Sequence, residues 1–361
     1  MRESVAISLQ SKQGKRNINE KQNIRPTTGI HSDRNGAAVT RLPPLIESSR
    51  IISMKTAYIA HNDCARHDMG AGHPESPFRL QAIAKAVDKA NLRQRLDSHE
   101  APMVKREHLE RVHPAPYIDR VIDASPDQGL HPLDGDTAMN PHSLEAAYRA
   151  AGGAVFATEL VLEGQVDHAF CGTRPPGHHA ERTKAMGFCF FDNVAVAAAH
   201  ALENEHINKV AILDFDVHHG NGTEDIFGED DRVLFGSTFQ HPLYPYKGAE
   251  GGKNPLTINV PLPSGTDGES YRKAVKETWL PAVEEFEPDM YFISAGFDAH
   301  RDDPLASLRL LEEDFHWITR EICHWAKRHA NGRVVSTLEG GYNLDALGTS
   351  VVAHMEALLA D

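Results

Sequence analysis

The sequence predicts an α/β fold, in which one central, mostly parallel sheet carries helices on both faces of a single domain. Short apolar, β-branched runs alternate with longer helical patterns, and no internal repeat interrupts the alternation. This pattern is typical of parallel sheets, whose strands are buried on both faces and therefore apolar almost throughout. The length of 361 residues is sufficient to bury a large core.

Twelve elements follow from the spacing of apolar residues. The predicted strands are 56–60, 168–171, 210–215, 233–237, 290–295 and 334–338. The predicted helices are 77–90, 143–162, 193–205, 268–286, 312–328 and 344–359.

Composition excludes several classes of protein. Hydrophobic residues make up 40% and charged residues 24% of the chain, as in soluble globular proteins. No apolar run approaches the roughly 18 to 20 residues that cross a bilayer, so we expect no membrane partner. The net charge of −14 argues against direct nucleic-acid binding. An acidic rim would attract cationic peptides or amines, although the charge also serves solubility. Association into a homo-oligomer is left open.

The four cysteines, which are Cys64, Cys171, Cys189 and Cys323, are scattered and contain no CxxC pair. In a chain of this size without a secretory signal, this arrangement predicts free thiols in a reducing cytoplasm.

The first 53 residues differ from the rest. They carry nine Lys or Arg against four Asp or Glu, a net charge of +5, which leaves −19 on residues 54–361. They show neither helical nor strand periodicity and lack the apolar core of a signal peptide. We therefore predict a disordered basic extension over 1–53, or an upstream over-read of the gene, followed by a folded catalytic domain over 54–361.

Polar residues and glycines directly follow four of the predicted strands. The four segments are Gly172-Thr-Arg-Pro-Pro-Gly-His-His, Asp216-Val-His-His-Gly-Asn-Gly, Gly296-Phe-Asp-Ala-His and Glu339-Gly-Gly-Tyr. Ligands of parallel sheets bind outside the carboxyl ends of the strands. The four loops are therefore expected to form one site.

Asp216 and His218 are two residues apart at the end of an extended segment, so their side chains point to the same side. Asp298, from another strand end, is expected to complete a set of three ligands for a divalent cation. Three protein ligands leave one position open, which is typical of a catalytic zinc site. The alternatives are a solvated loop for the Asp-x-His pair and a helix cap or an ion pair for Asp298.

The adjacent His178 and His179 follow a rigid Pro-Pro-Gly turn and are interpreted as an acid–base pair. A second metal site and a surface loop are the alternatives. Each ring needs an orienting partner, and Asp214 and Asn221 are the candidates. The alternative for Asp214 is structural, with its carboxylate binding backbone amides or a monovalent cation. Tyr342 is a candidate for stabilising an oxyanion, with ordinary packing as its alternative.

Five segments, in this order, resemble the zinc-dependent histone deacetylases and the acetylpolyamine amidohydrolases. They are Arg174-Pro-Pro-Gly-His-His-Ala, Gly187-Phe-Cys-Phe-Phe-Asp-Asn, Asp214-Phe-Asp-Val-His-His-Gly-Asn-Gly-Thr, Ala295-Gly-Phe-Asp and Glu339-Gly-Gly-Tyr. The segment beginning at Gly72 is also similar to the opening loop of the family, so the resemblance covers nearly all of the chain after Ala57. His-His-Gly-Asn-Gly, in which Asn221 replaces the Asp of another major branch, resembles class II and its bacterial amidohydrolase relatives.

The resemblance implies an arginase-like α/β fold and hydrolysis of an N-acyl amide. It implies that Asp216, His218 and Asp298 bind zinc and that His178 and His179 act as acid and base. It also implies that Tyr342 polarises the carbonyl. It also implies that Asp214 orients His178 and that Asn221 orients His179. Substrate-binding residues implied in the same way are Phe188 and Tyr244 as tunnel walls, together with Leu305 and Gly341. Structural potassium is implied near Asp214, Asp216, His218, Ser237 and Thr238.

The substrate has two rival interpretations. The first is acetyl-lysine in proteins or peptides, and the second is an acetylpolyamine or another small N-acyl amine. A polyamine branch carries Glu where this chain has Leu305, and leucine suits acyl-lysine better. Two further alternatives are a non-catalytic binding protein, which would be expected to have lost Tyr342 or a ligand, and a two-manganese ureohydrolase, which needs more ligands.

Overall fold

A computed structural model describes residues 55–360, so the predicted extension over 1–53 lies outside the described residues. The strands in chain order are β1 (Thr56–Ala60), β2 (Asp97–Glu100), β3 (His131–Pro132), β4 (Ala138–Met139), β5 (His168–Cys171), β6 (Val210–Asp214), β7 (Val233–Gln240), β8 (Thr257–Leu262), β9 (Met290–Ala295) and β10 (Val334–Leu338). Eight of them form one sheet in the order β2-β1-β5-β10-β9-β6-β7-β8, and every pair in it is parallel. β3 and β4 form a separate antiparallel pair.

The helices in chain order are α1 (Phe78–Lys89), α2 (Arg106–Leu109), α3 (Ala115–Asp123), α4 (Ser143–Leu162), α5 (Asn193–Ala201), α6 (Asn221–Phe227), α7 (Gly268–Phe286), α8 (Glu312–His329) and α9 (Leu344–Leu359). Among residues 55–360, no helix combines the length and the apolar character that crossing a bilayer requires.

The helices cover both faces of the sheet because successive strand residues alternate between two cores. In β6, Val210 and Ile212 pack into a core with residues of α4 and α5. Ala211 and Leu213, from the same strand, pack into a second core with residues of α7, α8 and α9. Every residue of β6 is buried, as expected for a strand covered on both sides. The predicted α/β class is confirmed.

Five predicted elements have different boundaries in the structure, and two of them, the helices Phe78–Lys89 and Glu312–His329, differ by no more than one residue at either end. The helix predicted over 193–205 ends at Ala201, before a polar segment containing Glu203 and Glu205. The strand predicted over 233–237 continues to Gln240, because pairing with β8 extends to the end of β7. The strand predicted over 210–215 ends one residue earlier, at Asp214.

Two strands of the large sheet were not predicted, and both lie at its edges. β2 reads Asp-Ser-His-Glu and has no apolar residue to mark it as a strand. β8 contains Pro261, which favours an edge because proline cannot donate a hydrogen bond to a neighbouring strand.

Candidate active site

The four strands whose ends carry the polar loops are neighbours at the centre of the sheet, in the order β5, β10, β9, β6. Because these strands are parallel, the loops after them emerge at the same edge. The structure thus brings together the segments beginning at Gly172, Asp216, Gly296 and Glu339.

Asp216, His218 and Asp298 form a buried cluster whose ligand atoms all lie within 4.8 Å of one another. His218 Nδ1 lies 3.0 Å from Asp216 Oδ1 and 3.2 Å from Asp298 Oδ2. Backbone amides fix both carboxylates, since Gly340 N donates to Asp216 Oδ2 at 2.8 Å and Val217 N donates to Asp298 Oδ1 at 2.9 Å. Two carboxylates and one imidazole, held in this way, are suited to a divalent cation.

The surroundings of the cluster also fit a metal ion. Asp298 Oδ2 is buried without a hydrogen-bond partner, which is costly unless a cation satisfies it. A Cβ at Gly340 would lie 2.0 Å from that same oxygen, and one at Gly296 would lie 2.0 Å from Asp216 Oδ2, so both glycines are required for close approach. Although burial opposes it, the Asp216 and Asp298 carboxylates beside Nδ1 raise the pKa of His218 to about 10. A divalent cation in the cluster would replace that proton.

His178 and His179 lie beside the cluster, with ring centroids 4.0 Å apart, and have different partners. His178 Nδ1 lies 2.8 Å from Asp214 Oδ2, whereas His179 Nδ1 lies 2.7 Å from the neutral amide oxygen of Asn221. Burial opposes protonation of His178, but the carboxylates of Asp214 and Asp216 raise its pKa well above the usual range. Burial and the neighbouring His178 lower the pKa of His179 well below it. Such divergence is typical of acid–base pairs.

Glu339 begins the predicted Glu-Gly-Gly-Tyr motif, but no separate role was predicted for it. Its Oε2 accepts hydrogen bonds from Gly177 N at 2.7 Å and from His178 N at 3.1 Å. Burial raises the pKa of Glu339 to about 7. The carboxyl group therefore connects the end of β10 to the backbone that presents the tandem histidines.

A cavity of about 250 Å³ opens onto this cluster. It is lined by the predicted residues His179, Phe188, His218, Tyr244, Leu305 and Tyr342, and also by Asp136, Gly187, Leu243 and Tyr246. The ring of Tyr244 stands edge-on to that of His179, with centroids 5.2 Å apart, and the ring of Phe188 packs against that of Tyr342 at 5.9 Å. Asp136 was not predicted, because it precedes α4 and lies far in sequence from any strand-end motif.

Tyr342 is held by polar contacts on both sides. The guanidinium carbon of Arg79 lies 5.1 Å from the centroid of its ring, and Asp303 accepts a hydrogen bond from its backbone amide. Burial, with Asp298 nearby, raises the pKa of Tyr342 well above its usual range, so the hydroxyl remains a donor. Gly341, with φ of +121°, is not among the residues lining the cavity, and its carbonyl accepts a hydrogen bond from Arg79 Nε at 2.7 Å.

A buried ion network supports the loop that carries the histidines. Glu75 accepts hydrogen bonds from Arg174, including one to its Oε2 at 2.5 Å, and from Arg79 Nη1 at 3.1 Å. All three side chains are fully buried. Glu75 and Arg79 lie in the segment beginning at Gly72, and Arg174 begins one of the five similar segments. The ion pairs among these three residues depend on tertiary contacts and were not predicted.

Comparison with known proteins gives concordant matches. The family model of the histone deacetylase domain matches residues 73–358. A histone deacetylase-like amidohydrolase of Pseudomonas aeruginosa is 41% identical over 280 residues, covering 76% of this chain and 73% of that protein. A probable deacetylase of Archaeoglobus fulgidus is 36% identical over 302 residues, covering 81% and 82%. The crystal structure of the HDA15 HD domain superposes with a TM-score of 0.81 at 34% identity, covering 86% of this chain and 89% of that one. The region matched by the family model includes all four strands whose ends form the site.

Proposed function

The chain belongs to the histone deacetylase family, and on that premise we propose that it is a zinc-dependent deacetylase of acetylated lysine side chains in proteins or peptides. The observation that supports this most is the buried Asp216–His218–Asp298 cluster, of which His218 lines a cavity together with His179 and Tyr342. The family is one of deacetylases and amidohydrolases, so an N-acyl amide is the expected substrate class.

The reaction adds water across the amide and releases a free amine and a carboxylate. Asp216, His218 and Asp298 would hold the zinc ion, which when bound supplies Lewis-acid polarisation of the carbonyl and of the attacking water. His179, neutral and with Nδ1 directed at Asn221, has Nε2 free to take a proton from that water. His178, paired with Asp214, favours the imidazolium form, which stabilises negative charge and helps to return a proton to the amine. The Tyr342 hydroxyl donates to the developing oxyanion.

The walls of the cavity favour an aliphatic acyl-lysine arm. Phe188, Tyr244 and Leu305 all line it, and each offers apolar surface to a methylene chain. Leu305 provides no charge to bind the distal ammonium of a polyamine.

A second candidate substrate, an acetylpolyamine or another small cationic amide, is favoured by one observation. The Asp136 side chain lines the same cavity and brings a carboxylate close to the path of the substrate. That carboxylate would attract a free ammonium, and it would equally accept hydrogen bonds from the backbone of a peptide.

Paired substrates distinguish the two candidates. Zinc-loaded protein is assayed on acetyl-lysine peptides and on N-acetylputrescine and N-acetylspermidine, and kcat/KM is compared. A higher value for the peptides is expected, whereas a strong preference for the free polyamines would refute the lysine assignment.

We also propose a structural potassium ion near Asp214 and Ser237, which are paired in register between β6 and β7. The Ser237 hydroxyl is buried without a hydrogen-bond partner, as expected beside an oxygen-ligated cation. Asp216, His218 and Thr238 would contribute further oxygen ligands, mostly from the backbone. Replacing potassium by a large organic cation should lower the melting temperature if this ion is bound.

Two further parts of the proposal concern the whole chain. We propose a reducing, cytoplasmic setting, in keeping with four free cysteines, all of them buried. We propose that residues 54–361 are the catalytic domain and that 1–53 are dispensable, because the match to the family begins at residue 73. A chain lacking 1–53 should keep its turnover.

A further inference from the structure

The orientation of the Asn221 amide decides which proton His179 carries. Asn221 has an acceptor end, Oδ1, and a donor end, Nδ2. With Oδ1 facing His179 Nδ1 at 2.7 Å, the ring proton stays on Nδ1 and Nε2 keeps its lone pair. A reversed amide would donate to Nδ1 and move the ring proton to Nε2, which could then no longer accept a proton from water. The site therefore needs a group that fixes this amide.

Glu181 contacts the donor end of this amide. Its Oε1 accepts a hydrogen bond from Asn221 Nδ2 at 2.7 Å. An ionised carboxylate only accepts, so it cannot satisfy a reversed Asn221 whose oxygen would face it. The other acceptors around Nδ2 are the His179 carbonyl and the Met186 sulfur, both at 3.5 Å, and these are longer contacts with uncharged atoms.

Lys247 binds the same carboxylate of Glu181. Its Nζ lies 2.5 Å from the same Glu181 Oε1, so the carboxylate is neutralised close to the catalytic pair. The Glu181 side chain is only 16% exposed, whereas that of Lys247 is 52% exposed. An exposed ion pair alone contributes little to stability, so the significance of this one lies in what it positions.

The segment 240–248, which carries Lys247, touches the site at two further points. Tyr244 places its ring edge-on to His179. Gly248, with φ of +84°, lies against the His219 ring, where a Cβ would come within 2.6 Å of ring atoms. One carboxylate thus connects a cavity wall to the partner of the catalytic histidine.

We propose that Glu181 and Lys247 are a positioning pair: Glu181 fixes the Asn221 amide, and thereby the tautomer of His179, while Lys247 holds the Tyr244 wall of the cavity against the same histidine. This inference rests on the proposed amide hydrolysis. Neither residue lines the cavity, and both act through Asn221 and Tyr244.

The first test compares Glu181→Ala with Glu181→Gln at a fixed zinc load. The alanine variant leaves Nδ2 without its charged acceptor, and kcat should fall about tenfold or more with KM and zinc content unchanged. Glutamine keeps a carbonyl oxygen that accepts from Nδ2, but its NH₂ group can also donate to a reversed Asn221, so it should restore only part of kcat. Equal loss in both variants, or a loss of zinc, would overturn the role of Glu181.

The Asn221→Asp background separates positioning from general support of the fold. A carboxylate at 221 has no donor end to orient and is repelled by Glu181. Adding Glu181→Ala to Asn221→Asp should therefore leave kcat unchanged or raise it, opposite to its effect in the natural chain. A similar decrease in both backgrounds would show that Glu181 only supports the local structure.

Lys247→Met tests the link to the cavity wall. KM for the acetyl-lysine peptide should rise severalfold, because Tyr244 loses its tether, with a smaller effect on kcat. Lys253→Met is the matched control, since Lys253 is similarly exposed at 49% and lies 3.8 Å from Asp225. Equal effects of the two substitutions would remove Lys247 from the proposal.

An imidazole ¹⁵N spectrum distinguishes failure of this inference from failure of the proposed function. The His179 signals, assigned with His179→Ala, should report an Nδ1–H ring in the natural zinc-loaded chain and a changed tautomer in Glu181→Ala. If they do while no N-acyl amide is hydrolysed, the proposed function is refuted and the positioning pair stands. If amides are hydrolysed and the tautomer is the same in both proteins, the positioning pair is refuted.

Discussion

Asp303 Oδ2 accepts a hydrogen bond from the backbone amide of Tyr342 at 2.7 Å. The same oxygen accepts from Asn343 N at 3.2 Å, and Oδ1 accepts from Leu305 N at 3.0 Å. One carboxylate therefore binds the backbone of both Tyr342, the proposed oxyanion donor, and Leu305, a residue of the cavity wall. Burial, together with Asp298, raises the pKa of Asp303 to about 6.

Replacing this carboxylate should damage catalysis. Asp303→Ala leaves three backbone N–H groups without their acceptor, at a cost of about 1–3 kcal/mol for each one that stays buried and unsatisfied. We expect kcat to fall at least tenfold, a change of about 1.4 kcal/mol, and KM to rise because Leu305 is released. Asp302→Ala, which removes the neighbouring exposed carboxylate, is the control and should be nearly neutral. Unchanged kinetics in Asp303→Ala would show that Tyr342 is held by other contacts.

The metal cluster and Tyr342 should be separable by substitution. Asp298→Ala removes one of two carboxylates and is expected to abolish both zinc retention and turnover. Tyr342→Phe removes only a hydroxyl, so zinc content should stay at the level of the natural chain while kcat falls by a factor of about 100 or more. Zinc content is measured by mass spectrometry after dialysis. Full retention of zinc by the Asp298 variant would contradict its assignment as a ligand.

The parts of the site that the sequence predicted are those encoded by contiguous strand-end motifs. Asp216 and His218 share a side because they follow a strand directly, and Asp298 follows the adjacent strand of the sheet. Because the four strands are parallel neighbours, the motifs at their ends lie close together in the fold. The central strands were predictable for a related reason, since burial on both faces makes them apolar throughout.

The parts that escaped prediction depend on tertiary contacts between distant segments. Asp136 enters the cavity from the segment before α4, and Glu181 meets Lys247 across 66 positions of sequence. The hydrogen bonds of Asp303 come from backbone amides. Such contacts do not depend on the side chains of the donor residues, so no sequence pattern reveals them. The polar edge strand β2 was not predicted because its residues are mostly exposed, so it contains no apolar run.

Selectivity between the two candidate substrates should respond to one residue of the cavity wall. Leu305→Glu adds a second carboxylate to the cavity that Asp136 also lines, so kcat/KM for N-acetylspermidine should rise relative to that for an acetyl-lysine peptide. Leu305→Gln, similar in size but uncharged, is the matched control and should not produce the shift. An identical ratio in the glutamate variant and the natural chain would remove position 305 from substrate choice.

Acid stability should depend on a buried histidine that does not line the cavity. His354 is fully buried, and burial lowers its pKa to about 3. The Thr319 hydroxyl already donates to Phe315 O, so it accepts from His354 Nδ1 at 2.7 Å, while Ser336 Oγ lies 3.0 Å from Nε2. These contacts fit a neutral ring.

The sign of the effect follows from proton linkage. Between the ordinary histidine pKa of about 6.5 and the folded value of about 3, the unfolded chain binds a proton that the folded chain excludes. The free energy of unfolding therefore falls as the pH is lowered through this window, by about 1.4 kcal/mol per pH unit for this one group. His354→Gln, whose amide can still meet both hydroxyls, should unfold with a shallower pH dependence by that amount.

Urea unfolding at a series of pH values between 6.5 and 4, at constant zinc, measures the slope. His206→Gln, at a side chain that is 78% exposed, should keep the slope of the natural chain and serves as the control. If the free energy of unfolding of His354→Gln changes with pH as steeply as that of the natural chain and of His206→Gln, the buried ring is not a source of acid lability. In that case the loss of stability in acid would be sought first at Asp216, whose pKa is held well below its usual range by His178 and His218 although burial opposes this.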